Sequence, residues 1–160
     1  MGASGGRINI VRNLRHCLVS PVIPAHRKAF TSIAFSSHGF AAKRLRWRER
    51  YRAPVPRKWC LCHFCLARVD KEVHTLINCP DDLTHPLLPL RNAMRLNVTA
   101  IVTDFCWHSD SRTLLLHLLY DKQLPVSIDK YIYNALAVFY SVHMYVLAPY
   151  LNSPLLLTQA

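Results

Sequence analysis

Apolar side chains in the front part of the chain recur at helical spacing. No proline interrupts residues 26–50, and the apolar positions there fall close to one helical face: Phe30, Ile33, Ala34, Ala41 and Leu45. Gly39 predicts a break that divides this stretch into two helices. Pro21 and Pro24 precede it, so residues 1–25 are expected to form an irregular tail.

The second half of the chain predicts three more helices. The first runs between Leu83 and Leu96, and the second follows a capping Ser109 or Asp110. Ser127 is expected to cap the third helix. The apolar stripe of that helix comprises Ile128, Ile132, Ala135, Phe139, Val142 and Val146. These patterns predict a mainly α fold with an apolar C-terminal helix.

This last helix is predicted to be apolar on its other faces as well, which indicates burial or membrane insertion. A membrane-spanning helix needs about 20 predominantly apolar residues. The apolar run from Ala135 to Leu151 is shorter and contains His143 and Pro149. A helix buried against the rest of the chain is therefore the favoured interpretation, and a membrane anchor is the alternative.

Basic residues are concentrated at the front of the chain. The protein has 160 residues, with 20 Lys and Arg against 9 Asp and Glu, and a formal net charge of +11. Residues 1–58 hold 13 of the basic side chains and one acid, Glu49, whereas residues 59–160 carry a net charge of −1. Such a block favours a polyanionic partner, either nucleic acid or an anionic membrane surface. A solvated basic face without a partner is the alternative.

Four side chains of one short segment have the spacing of a metal site. In WCLCHFCLARVDKEVHTLINCP, Cys62, Cys65, His74 and Cys79 follow the pattern C-x2-C-x8-H-x4-C. Two thiolates from a tight turn can close a tetrahedron around Zn²⁺ with a His and a Cys from the next element. Because these four donors leave no position for water, the predicted zinc site is structural. Cys79 follows His74 by a little over one helical turn, so it is expected where a short helix ends.

Other interpretations of the cysteines fit the sequence less well. A disulfide framework suits a secreted protein, and a thioredoxin-type C-x-x-C needs a surrounding βαβ pattern, but neither context is indicated. Chance clustering of buried cysteines is the remaining alternative. Cys60 is a rival ligand, although Cys62 gives the better C-x-x-C spacing. His63 and His85 are predicted to be bystanders.

The acidic residues of the segment predict a supporting role. Asp70 and Glu72 precede His74 and are expected to orient its ring or to neutralise nearby basic charge. No paired carboxylates, nucleophile elbow or phosphate-binding loop can be recognised in the sequence. The chain is therefore predicted not to be an enzyme.

The segment resembles the zinc-binding segment near the C-terminal end of non-LTR retrotransposon polyproteins. In that family Cys-x-x-Cys is followed by an acid-rich stretch, then by a His and a Cys that often precedes Pro. The positions that match this run are Asp70, Glu72, Val73, His74, Leu76, Cys79 and Pro80. Arg50–Lys58 resembles the basic connector before it, so the similarity covers roughly residues 50–98.

The sequence departs from the family pattern in three respects. Lys71 stands where the family tends to keep an acid, and Cys60 is an additional cysteine. The chain is also far shorter than those polyproteins, which indicates a truncated or remnant form. The resemblance implies a zinc knuckle that associates with nucleic acid.

The charge distribution independently points to phosphate contacts before the zinc segment. The candidate nucleic-acid-binding side chains are Lys43, Arg44, Arg46, Trp47, Arg48, Arg50, Arg52, Arg57 and Lys58. The aromatic members of this stretch, Trp47 with Tyr51 and Trp59, are candidates for stacking on unpaired bases or for ordinary packing.

Together these observations predict four stretches along the chain. They are an irregular tail (1–25), a basic helical segment and linker (26–58), a zinc-knuckle module flanked by short helices (59–98) and an apolar helical region (99–160). The expected function is a structural Zn²⁺-binding module that binds RNA or DNA nonspecifically. A zinc-scaffolded protein-interaction module, with the apolar C-terminal helix as docking face or membrane anchor, is the alternative.

Overall fold

Four of the described helices begin with a proline in the first turn or with an acidic cap. The computed structural model describes residues 23–35, 37–46, 54–80 and 85–151. Within these residues the α-helices are α1 (Pro24–Ala34), α2 (Ala41–Arg44), α3 (Leu88–Ile101), α4 (Ser111–Tyr120), α5 (Pro125–Ser141) and α6 (Ala148–Leu151). A 3₁₀ turn covers Arg57–Trp59, and a π-helical turn covers His74–Asn78. The prediction of a mainly α fold is confirmed.

Prolines start three of the helices. Pro24 and Pro125 are the first residues of α1 and α5, and Pro89 lies in the first turn of α3. Proline suits this position because its missing N–H would have no helical partner there. The expectation that Ser127 caps the last long helix is therefore wrong, since that helix already begins at Pro125.

The cap of α4 is Asp110, one of the two predicted residues. Its carboxylate accepts hydrogen bonds from the backbone N–H groups of Arg112 and Thr113, at 3.1 and 3.2 Å. These bonds satisfy two of the backbone donors that are left free in the first turn of a helix.

Helix α5 lies at the centre of the described structure and packs against α1, α3 and α4. Its predicted stripe from Ile128 to Phe139 is buried in a major core to which all four helices contribute. The stripe was expected to continue through Val142 and Val146, but the helix ends at Ser141 and this part of the prediction is wrong. None of the described helices has both the length and the apolar character needed to cross a bilayer.

The tail directly after α5 is no longer helical, because its apolar residues pack against a second hydrophobic cluster, the minor core. This minor core consists of Ala41, Ala42, Leu45, Val55 and Cys60. Met144, Val146 and Tyr150 pack against it from the tail. The extended backbone of Val142 begins this change of direction, as is common for a β-branched residue.

The predicted break between α1 and α2 is present, and Gly39 lies in it. The Gly39 N–H donates to the Tyr140 hydroxyl at 3.2 Å. A Cβ at position 39 would lie 2.9 Å from Cε1 of the same ring. The close approach of α5 to this connection therefore requires a residue without a side chain, or a shift of the Tyr140 ring.

Candidate metal centre

Cys62 lies in a short hairpin that is closed by backbone hydrogen bonds. The Cys62 N–H donates to the Arg68 carbonyl, and the Asp70 N–H donates to the Cys60 carbonyl, both at 2.8 Å. Successive side chains of an antiparallel pair point to opposite faces, so this alternation by itself does not separate Cys60 from Cys62. Their surroundings do: the Cys60 Sγ lies near the carbonyls of Val55 and Pro56, whereas the Cys62 Sγ lies near the Cys79 Sγ.

A tight turn at the tip of the hairpin brings Cys65 back towards Cys62. The Leu66 N–H donates to the Cys62 carbonyl at 2.8 Å, and Leu66 itself has a left-handed backbone with φ of 53°. A non-glycine residue rarely adopts this conformation, and when it does, it usually marks a turn. The turn is the knuckle that the C-x-x-C spacing predicts.

His74 and Cys79 come from the π-helical turn that follows. The Cys79 N–H donates to the His74 carbonyl at 2.6 Å, so the closing hydrogen bond spans five residues instead of four. In a regular α-helix, residues five apart point about 140° away from each other. The wider turn reduces this divergence, and the backbone of Cys79 is already extended, as expected for the end of a short helix.

The four predicted ligands meet in one place and can hold a metal ion. One donor atom from each of Cys62, Cys65, His74 and Cys79 lies within 4.8 Å of all the others. The Sγ atoms of Cys62 and Cys79 are 3.8 Å apart, and Cys65 Sγ lies 3.2 Å from His74 Nε2. Two sulfurs bound to one tetrahedral Zn²⁺ would be separated by about 3.8 Å. The three cysteines are free thiols, so the group is not a disulfide.

A cation would remove an electrostatic conflict between these sulfurs. Hydrogen bonding by Cys79 and by backbone N–H groups of its own turn lowers the pKa of Cys62 to about 4. The same contact, together with burial, raises the pKa of Cys79 above its ordinary value. One thiolate thus keeps its neighbour protonated when no cation is bound, whereas a dication held between them favours the thiolate form of both.

Cys60 lies outside this group. Its Sγ is 3.6 Å from the carbonyl oxygens of Val55 and Pro56, and the residue is buried in the minor core. His63 is also outside the group, and its ring packs at a tilt against Phe64 and Phe139, with ring centres 4.3 and 4.2 Å apart. Burial lowers the pKa of His63, which favours its neutral form.

His85 supports the site, so the prediction that it is a bystander is wrong. Its Nε2 lies 3.1 Å from Cys79 Sγ, while its Nδ1 accepts the Leu87 N–H at 3.1 Å. Since Nδ1 is the acceptor, the proton of the neutral ring belongs on Nε2 and is donated to the sulfur. A donor of this kind orients a metal-binding thiolate. The spacing of residues in the sequence does not identify His85 as the donor to Cys79.

Arg91 is the second supporting residue that the sequence did not reveal. Its side chain is 1% exposed and donates hydrogen bonds to three carbonyls: Leu76 at 3.2 Å, Cys79 at 2.8 Å and Thr75 at 2.8 Å. These carbonyls belong to the end of the π-helical turn, where helical partners are lacking. The only indication of this role in the sequence is that a cation lies on the apolar face of α3, on the same side as Met94 and Val98.

The acids that were expected to orient His74 have other partners. Asp70 accepts hydrogen bonds from the Ala41 N–H, at 2.8 Å, and from the Thr75 hydroxyl. Glu72 lies 3.5 Å from His38. His74 Nδ1 has no hydrogen-bond partner among the described residues, so the predicted orienting role is wrong. The unpaired N–H groups at the start of α2 attract the Asp70 carboxylate instead.

The described part of the predicted basic surface is exposed. Lys43, Arg44, Arg46, Arg57 and Lys58 all face solvent. Trp59 is 40% exposed, and Lys58 Nζ lies 5.4 Å from the centre of its ring. The other candidate nucleic-acid contacts lie outside the described residues: Trp47, Arg48, Arg50 and Arg52.

Comparisons with protein-family models, curated proteins and solved structures found no match to this chain. The interpretation of the site therefore depends on its own geometry and chemistry.

Proposed function

We propose that this chain is a structural zinc module that carries a basic surface for RNA or DNA and has no catalytic activity. The observation that supports it best is the convergence of three thiol sulfurs and one imidazole nitrogen within 4.8 Å. A Cys₃His set is typical of closed tetrahedral zinc sites, in which no position is left for a reacting water. Such a metal contributes folding free energy to the segment that binds it.

The position of α2 connects the metal centre to the proposed nucleic-acid surface. Asp70, between the two ligand pairs, accepts a hydrogen bond from the first residue of α2, and the Asp70 carbonyl accepts one from Ala42 at 3.1 Å. Lys43 and Arg44 then extend from the same helix into solvent. Cations held in this way bind phosphates without reading base sequence, so the proposed binding is nonspecific.

An origin from a non-LTR retrotransposon is part of the proposal. It is supported by the resemblance of residues 59–80 to the zinc segment of those polyproteins. The convergence of all four positions of the Cys/His pattern is compatible with that resemblance.

Zinc stoichiometry tests the metal assignment. We expect one Zn²⁺ per chain in reduced wild-type protein and loss of that metal in His74→Ala and Cys79→Ala. Cys106→Ala, which changes an exposed cysteine outside the cluster, should retain it. Wild-type protein that takes up no zinc under reducing, zinc-replete conditions would contradict the assignment.

Salt-dependent binding of labelled RNA and DNA tests the surface. A segment variant (Lys43→Gln, Arg44→Gln and Arg46→Gln) should bind more weakly and with a smaller dependence on salt. A control variant (Lys28→Gln, Lys122→Gln and Lys130→Gln) loses the same charge from other exposed positions and should resemble wild type. Absence of any binding by wild type, with stable association to another protein instead, would favour the protein-interaction alternative.

A further inference from the structure

A cleft of about 630 Å³ lies beside the metal centre, on the side of His74. Four cationic side chains line it: Arg57, Arg68, Lys71 and Arg112. One carboxylate, Glu72, is also part of the wall. The volume lies within the range of ordinary ligand sites, and the charge of the lining favours an anion.

The cleft cations form no close ion pair with the described residues. Arg112 lies near enough to the Asp110 carboxylate to help lower the pKa of that group, and the carboxylate of Glu72 is engaged with His38 at 3.5 Å. Several like charges on one concave surface raise the local positive potential, which attracts an anion. The arrangement therefore favours a bound polyanion.

Four separate parts of the fold supply these cations. Arg57 comes from the 3₁₀ turn, and Arg68 from the hairpin that carries the cysteines. Lys71 lies three residues before the π-helical turn, and Arg112 lies in the first turn of α4. The cleft therefore exists only when the metal segment is folded against α4. This distinguishes it from the basic run in the sequence, where the charges are simply consecutive.

We infer that this cleft binds the phosphodiester backbone of a single-stranded nucleic acid. The inference builds on the proposed function and adds Arg68, Lys71 and Arg112 to its contacts. Three of the four cations are arginines, whose planar donor groups match phosphate oxygens. The exposed Trp59 lies in the same turn as Arg57, where an unpaired base of the bound strand can stack on it.

The test compares three variants that each lose three positive charges. The cleft variant is Arg68→Gln, Lys71→Gln and Arg112→Gln, and the segment and control variants are those defined above. Zinc content and circular dichroism establish that each variant is folded. Binding of fluorescein-labelled oligo(U) and oligo(dT) is then measured over a range of salt concentrations, with poly-glutamate and phosphatidylserine vesicles as competitors.

We expect the cleft variant to bind more weakly than wild type. Its slope of log affinity against log salt should be smaller by about 2, since each lost phosphate contact removes about 0.7 on a single strand. The control variant should keep the wild-type slope. Equal behaviour of the cleft and control variants would overturn the inference, as would displacement of the strand by poly-glutamate or vesicles at an equal concentration of charge.

The failure of this inference can be distinguished from failure of the proposed function. Loss of binding in the segment variant alone would overturn the cleft but leave nucleic-acid binding in place. Wild-type protein that binds neither oligonucleotide at low salt would overturn both.

Discussion

The guanidinium of Arg91 is buried but has hydrogen-bond partners, because the end of the π-helical turn presents three carbonyl oxygens to it. A buried cation is very costly without such partners, and the carbonyls are costly without the cation. Leu76 has a second donor, the Tyr131 hydroxyl at 2.6 Å, whereas no other donor to Thr75 or Cys79 is evident in the described structure. Arg91 therefore holds the chain at Cys79, the fourth candidate metal ligand.

Replacing Arg91 by Met should strongly destabilise the protein. We expect the free energy of unfolding to fall by about 3 kcal/mol, because buried carbonyls lose charged donors. Zinc should also bind more weakly, since the backbone at Cys79 is released. Arg95→Met changes an exposed arginine of the same helix and should cost less than about 1 kcal/mol. Denaturant unfolding and chelator competition measure both effects, and equal losses in the two variants would refute this role.

Sequence reasoning identified the four residues that converge and can hold a metal ion, but it missed His85 and Arg91 beside them, and the reason is physical. Cys62, Cys65, His74 and Cys79 come from adjacent local elements, so their spacing alone reports the geometry. His85 and Arg91 act through a loop and through a helix that returns to the site from farther along the chain. Their contacts depend on tertiary packing, which leaves no periodic signal.

At the level of the elements, α5 is connected to the metal hairpin by aromatic contacts. Phe139 lies 4.6 Å from Phe40 and 4.2 Å from His63, measured between ring centres. Its ring also lies 6.1 Å from that of Phe64, at a steep angle. Phe139 of α5 thus contacts both Phe40, which precedes α2, and the knuckle between Cys62 and Cys65.

Phe139→Ala should lower the free energy of unfolding by about 3–5 kcal/mol, because a fully buried ring is replaced by a cavity. We also expect it to weaken zinc binding, since His63 and Phe64 lose their packing surface. Val126→Ala, at an exposed position of the same helix, serves as the control. Calorimetric melting with zinc bound measures the difference, and a Phe139→Ala protein as stable as the control would contradict this coupling.

The apolar stripe identified α5 correctly as far as Phe139 and failed beyond it. The helical period continues through Val142 and Val146, so the local pattern contains no stop signal. The chain nevertheless leaves the helix, because Met144 and Val146 pack against Ala41, Leu45 and their neighbours. A partner so distant in sequence is invisible to a periodicity argument, whereas the fold class needs only the local patterns.

We expect the stability of the whole molecule to depend on pH through Asp70, which is 0% exposed. Burial raises the pKa of this carboxyl from 3.8 to about 6, although hydrogen bonds from Thr75 and Ala41 oppose the shift. Between these two values the folded protein binds a proton that the unfolded chain has released. Its free energy of unfolding therefore decreases as the pH rises through this window.

Asp70→Asn should remove this dependence, because the amide keeps the shape of the side chain but does not titrate. Relative to the variant, wild type should lose up to about 3 kcal/mol as the pH rises from about 4 to about 6. Both proteins are unfolded with denaturant at the same zinc concentration, so that the contribution of metal binding largely cancels. Parallel stability curves for the two proteins would rule out Asp70 as the titrating group.

The distribution of contacts along the chain also determines an order of events during synthesis on the ribosome. The metal donors are complete once Cys79 has emerged, whereas α1 packs against α5, which ends only at Ser141. Translation of the intervening residues takes several seconds. On the proposed function, zinc then closes the knuckle on a nascent chain before the packing partners of Phe30 and Ile33 in α5 have been synthesised. During that interval the apolar face of α1 is available to chaperones, or to other incomplete chains.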